Sequence, residues 1–203
     1  RGGLGLVWAS KNLKYLIVEE EEAEDSGISG AVESANQDVL RLLMASPVLT
    51  GEYGIGTFGD AALLDLVNAK SFLPSCFHTQ VCYREIEKIN APAFHRKYRP
   101  VKRSCRNCPV GCGYADSDGR SFPDYEAIAG FGALLDNPDM ESIFAAHALC
   151  NDEGLESLGA ASVLAFYLKQ KRMRLSAGDL PLWIEKIIRC EEEGYLLAKG
   201  TFR

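Results

Sequence analysis

Three cysteines spaced Cys105-x-x-Cys108-Pro109-x-x-Cys112 constrain this chain most, because they commit a short segment to being an irregular loop that presents soft ligands. Iron prefers thiolates, and a cubane iron–sulfur cluster needs cysteines on several corners at once. A gap of two residues followed by a gap of three lets one tight turn reach three irons. Pro109 lacks an amide donor and keeps the loop from winding into a regular helix. A fourth ligand must come from elsewhere, and no other motif of comparable strength occurs in the chain.

A length of 203 residues allows one large domain or a domain and a half. The apolar share of 47% and charged share of 25% fit a soluble globular protein. A net charge of -6 argues against non-specific nucleic-acid binding, which needs a positive surface. One basic stretch, His95-Arg96-Lys97-Tyr98-Arg99 to Lys102-Arg103, runs straight into the cysteines. It reads equally as a solvated loop, or as compensation for an anionic cluster and a docking point for an acidic electron carrier. No apolar run is long enough to cross a bilayer, no signal peptide is visible, and no membrane partner is expected. The seven cysteines, three of them clustered, argue against a secreted disulfide framework and for a reducing cytoplasm. Both ends read as cut, since the chain opens on Arg1 without Met.

The fold class expected is all-α. A glycine loop followed by an apolar strand, Leu13 to Val18, opens the chain, and the acidic run Glu19 to Glu22 begins an exposed linker. A domain boundary falls near residues 19–31. Helical patterns follow over Asn36–Ala45, Thr57–Lys70 with Asp60 as an internal cap, and Glu126–Leu135. Residues 71–104 read as irregular around Pro74, Pro92 and Pro100, with one short helix from Tyr83 to Ile89. Asp139 caps the next helix; Leu155–Arg172 is apolar enough to be buried; Asp179–Glu193 carries an amphipathic stripe with Gly194 as its stop.

Three motifs stand in order: Arg1-Gly2-Gly3-Leu4-Gly5, the cysteine triplet, and Asn151-x-x-Gly154-Leu155-Glu156, with Pro123-Asp124-Tyr125-Glu126 between the last two. Together they resemble the aldehyde ferredoxin oxidoreductase family, and the resemblance runs on to Leu196-Leu197-Ala198-Lys199-Gly200. Members of that family carry a tungsten (sometimes molybdenum) bis-pterin and one [4Fe-4S] cluster between an N-terminal β domain and two helical domains. The resemblance implies that residues 1–22 are the tail of the pterin-binding β domain and 23–203 the first helical domain. The rest of the protein, a fourth cysteine included, would lie in missing N-terminal and C-terminal domains.

The resemblance also implies roles. Arg1, Gly2 and Gly3 would hold a pterin phosphate, for which bare amides and a guanidinium are suited; a tight glycine turn is the plain alternative. Asn151, Gly154, Leu155 and Glu156 would form a pterin-binding turn, although the family usually has Asp where Glu156 stands; ending one helix and capping the next explains the same residues. Glu126 would be the catalytic carboxylate near the metal, against the plain reading of an acid at a helix start. Cys105, Cys108 and Cys112 would bind three irons. Ala145 and Ala148 replace a Glu-x-x-His pair that bridges subunits through a metal in some members, so no such metal is expected. His78, His95 and His147 show no ligand spacing, and Cys76, Cys82, Cys150 and Cys190 read as buried thiols.

The function implied is a fragment of an enzyme oxidising aldehydes to carboxylic acids, with electrons leaving through the cluster to ferredoxin. The fragment alone is expected to be inactive and need not hold any cofactor. Alternatives are a benzoyl-coenzyme A reductase-type tungstoenzyme subunit, and a non-catalytic helical module with structural zinc completed by Cys76, Cys82 or His95. A formate dehydrogenase type shares the cysteine spacing but places it near the N-terminus.

Overall fold

The computed structural model of the protein describes residues 4–19, 30–176 and 178–200. Helices supply nearly all of its regular structure, and the one sheet among the described residues is a two-residue antiparallel ladder. The all-α expectation holds. Among the described residues no helix is long and apolar enough to cross a membrane.

The N-terminal stretch departs from expectation. Leu4–Ser10 is a short helix (α1), and residues 13–19 have no regular structure, so the strand read at Leu13–Val18 does not form. Strand amides and carbonyls need a neighbouring strand, and no described strand runs beside this segment, whose Leu13 amide donates back to the Trp8 carbonyl instead. Leu13, Leu16, Ile17 and Val18 are all exposed. Gly30–Met44 forms α2, six residues longer at its start than the sequence pattern suggests, and none of its described side chains is buried. Pro47–Thr50 follows as α3, with Pro47 in the first turn where a missing amide costs nothing.

The helix read over Thr57–Lys70 is three pieces. Ile55–Phe58 (α4) ends at Gly59, a 3-10 turn covers Asp60–Ala62, and Leu63–Ala69 (α5) completes the run. Within the stretch read as irregular there are two helices, Ile86–Ile89 (α6) and Ala91–Tyr98 (α7). Asn90 caps α7 by accepting from the Ala93 amide, which places Pro92 harmlessly in its first turn. Val101–Lys102 (β1) then pairs with Tyr114–Ala115 (β2).

The second half builds the core. Tyr125–Ile128 (α8) widens into a π-type turn over Ala129–Leu134, every residue of which is buried. Met140–Glu153 (α9), Ser157–Lys171 (α10), Asp179–Arg189 (α11) and Glu193–Leu197 (α12) follow. Asp139 caps α9 as expected, its carboxylate accepting from the Glu141 amide. Phe131, Ile143, Leu164, Leu168, Leu180 and Ile184 are fully enclosed, each worth about 1.5–3 kcal/mol of burial. Two expectations need correcting. Leu158 and Phe166 on α10 are exposed, because only one side of that helix meets the core. Gly194 does not stop α11, which ends at a left-handed Cys190; it lies inside α12, where a side chain would collide with the Lys186 carbonyl.

Candidate functional site

The cysteines sit on the loop of a β-hairpin. Val101 pairs with Ala115 and Lys102 with Tyr114, and the Arg103 amide donates to the Gly113 carbonyl (2.9 Å). The loop between them turns at Cys105–Cys108, where the Cys108 amide donates to the Cys105 carbonyl (3.1 Å), with Asn107 and Gly111 left-handed. Cys105, Cys108 and Cys112 are all exposed. The Gly111 and Val110 amides point at the Cys108 sulfur and hold its thiol below the usual range. Two cations tie the hairpin down: Lys102 Nζ donates to the Gly56 carbonyl and Arg103 to the Gly119 carbonyl, both at 2.8 Å.

Among the described residues no three His, Cys, Asp or Glu side chains gather about one point as a single ion requires. Three exposed thiols on one loop are the donor type that an iron–sulfur cluster takes, one thiolate per iron. Amides already directed at a sulfur suit a thiolate ligand as well. The donor set therefore fits a cluster.

Behind the hairpin lies a cavity of about 190 Å³ lined by Asp60, His95, Cys112, Tyr114, Phe122 and Asp124, among others. The Asp60 amide donates to the Cys112 carbonyl (3.3 Å), and Tyr114 Oη donates to the Thr57 carbonyl (2.5 Å). His95 meets Phe58 and Tyr114 edge-on, with ring centroids 4.9 and 4.5 Å away, and burial lowers its pKa. Asp124 caps α8 by accepting from the Ala127 amide (2.9 Å), and Glu126 is exposed in that helix's first turn. Asp60 is the residue that sequence reasoning missed. Burial, with Asp124 and Glu126 adding, pushes its carboxyl up to about 6 against the pull of the Tyr125 and Ala61 amides. The structure thus brings Asp60, Asp124 and Glu126 within electrostatic reach of one another, beside Cys112. Gly59 ahead of Asp60 was the available signal that the helix breaks there.

The Asn151–Glu156 motif forms the turn between α9 and α10. Gly154 closes α9 in a left-handed conformation (φ 71°), and both its amide and that of Leu155 donate to the Cys150 carbonyl. Asn151 Nδ2 and His147 Nε2 are 2.9 Å apart, and His147 is almost wholly buried. The Glu156 carboxylate accepts from the Leu158 and Gly159 amides, capping α10. Leu155, Glu156 and Gly159 line an open cavity of about 320 Å³ together with Ile187, Lys199 and Gly200, among others. Lys199 and Gly200 are thus further candidates, unmarked in the sequence by any spacing of their own. Arg1, Gly2 and Gly3 lie outside the described residues. Of the four thiols read as buried, only Cys150 is; Cys76 is half-buried, and Cys82 and Cys190 are exposed because both sit in surface turns.

Comparison with known proteins adds the family. A model described as "Aldehyde ferredoxin oxidoreductase, domains 2 & 3" matches residues 34–203. The tungsten-containing aldehyde ferredoxin oxidoreductase of Pyrococcus furiosus is 29% identical over 226 aligned residues, covering 100% of this chain and 36% of the relative. That of Pyrococcus abyssi is 31% identical over 140 residues, covering 66% of this chain and 23% of the relative. The enzyme of the same name from Pyrococcus horikoshii is 29% identical over 139 residues, with the same 66% and 23% coverage. The chain spans about a third or less of the length of these relatives. With a model match over more than half its length, and the cysteine loop and the α9–α10 turn both inside that match, the chain belongs to the aldehyde ferredoxin oxidoreductase family.

Proposed function

We propose that this chain is the part of a cytoplasmic, anaerobic aldehyde:ferredoxin oxidoreductase that supplies three of the four cluster thiolates and one pterin-binding turn. Residues 1–22 then belong to the pterin-binding β domain and 23–203 to the helical middle domain. The single observation that carries the reading is the hairpin loop with Cys105, Cys108 and Cys112 all exposed, inside a region matched by the family model.

When bound, a pterin-held tungsten or molybdenum supplies a two-electron acceptor and the [4Fe-4S] cluster a one-electron relay. The chain's own residues do the rest. Cys105, Cys108 and Cys112 hold three irons. Asn151, Gly154, Leu155 and Glu156 read a pterin edge; Glu156 retains acceptor capacity beyond its two amide partners, since a carboxylate has about four lone-pair sites. Arg1, Gly2 and Gly3 bind phosphate. Glu126 takes a proton from the water that adds to the aldehyde carbonyl. Overall, one aldehyde and one water become one carboxylic acid, two electrons and two protons, so a carboxylate cluster that exchanges protons is needed. Asp60, whose carboxyl burial pushes up to about 6, lies in electrostatic reach of Glu126 for that exchange.

The test is metal and sulfide analysis of the full-length protein purified without oxygen, followed by aldehyde oxidation with ferredoxin as acceptor. Iron with equal sulfide, tungsten or molybdenum, and turnover are expected, with none from this chain alone. Zinc in place of iron would overturn the reading. Activity only on an aromatic coenzyme A thioester would move it to the benzoyl-coenzyme A reductase type.

A further inference from the structure

Lys102 is the last residue of β1 and lies three positions before Cys105. Its Nζ donates to the carbonyl of Gly56 in α4, 46 residues away in sequence. Its stem runs under the turn that joins Cys108 to Cys112: a Cβ built on Gly111 would come within 2.5 Å of Lys102 Cε and 3.0 Å of Nζ. Pro109, Val110, Gly56 and Thr57 line a cavity of about 230 Å³ with it, among others. Among the described residues no ion pair involves Lys102. Its anchor is a neutral carbonyl, which holds the ammonium near the cysteine turn without pairing its charge among the described residues. Arg106, exposed on the same loop, has no such anchor among the described residues.

A cation held against the turn that carries the cysteines favours whichever state of a centre bound there is more negative. We propose that Lys102 is a positioning residue for the cluster of Cys105, Cys108 and Cys112: it pins the cysteine turn to Gly56 and, through its charge, raises the cluster's reduction potential. The step concerned is a one-electron reduction, in which the cluster gains one negative charge from the external reductant. The inference rests on the cluster reading above.

The experiment is a potentiometric titration of the full-length protein, purified without oxygen, with the reduced cluster followed by electron paramagnetic resonance. K102R keeps charge and donor, K102Q keeps a donor only, and K102M keeps neither. K102R should titrate as wild type. K102Q and K102M should each shift the reduction equilibrium about threefold toward the oxidised form, a modest effect because Lys102 is exposed and screened. R106Q should shift it less than half as far. Amide hydrogen exchange in 104–112 should quicken in K102M and not in K102Q, and this second readout holds even where a variant loads less cluster. Wild-type potentials in K102Q and K102M, or an equal shift in R106Q, would overturn the inference while leaving the cluster reading intact. A wild-type protein without iron and sulfide would sink both.

Discussion

The cysteine loop and the α9–α10 turn are both short connections with left-handed residues, yet they are held in opposite ways. The turn stands on the core: Cys150 and His147 beneath it are buried, and its polar groups find partners within the two helices it joins. The loop directs its three thiols to solvent and is tied to the body by cations reaching backbone carbonyls. A site that only needs shape can be finished by folding. A site made of thiols cannot, because bringing thiolates together without a metal sets like charges against one another. On the proposed reading its final geometry comes with the cluster.

That contrast can be broken or sharpened by substitution. The largest effect is expected from Leu164→Ala on α10, which empties a fully buried position and should cost about 2–5 kcal/mol in chemical denaturation. Glu156→Ala removes the cap of α10 and should cost about 1 kcal/mol in the same measurement. Asp60 gives a pH signature. The folded state holds its proton more tightly than the unfolded chain, so stability should be greatest below the ordinary value of 3.8 and fall as pH rises to about 6. Asp60→Asn should remove that fall and gain about 1 kcal/mol at pH 7, after allowance for its partial exposure to solvent; an unchanged pH profile would show that the carboxyl is ordinary. The smallest effect belongs to the loop. Cys108→Ser should change stability by under about 0.5 kcal/mol while abolishing cluster loading in the full-length protein. A large stability loss there would erase the distinction between the two regions.

The helical core was legible because α9, α10 and α11 repeat apolar residues at helical spacing, and that spacing follows from burial of one face. Cys105, Cys108 and Cys112 stood out in the sequence as candidate ligands because their spacing is local, and the structure places all three exposed on one loop. The hairpin that presents them was not, since two residues per strand leave no alternating pattern to read. Pro92 hid α7 because a proline breaks a helix interior and suits its first turn, and only the Asn90 cap distinguishes the cases. Asp60 was invisible as a site residue for another reason: its neighbours Asp124 and Glu126 are more than sixty positions away in sequence, and pairing of that kind is set by the fold. The segment Leu13–Val18 looks like a strand by composition, but composition cannot supply the neighbour a strand must bond to.

The π-type turn at Ala129–Leu134 carries one more residue per turn than an α-helix, and its carbonyls at Ala133 and Leu134 accept from the Cys76 and Phe77 amides. A single-residue deletion there would leave a continuous helix, but would rotate its Glu126 end by about 100° relative to the half that packs on α10. One surplus residue thus works as a clocking pin, setting which way the acidic end of α8 faces while the hydrophobic half stays seated.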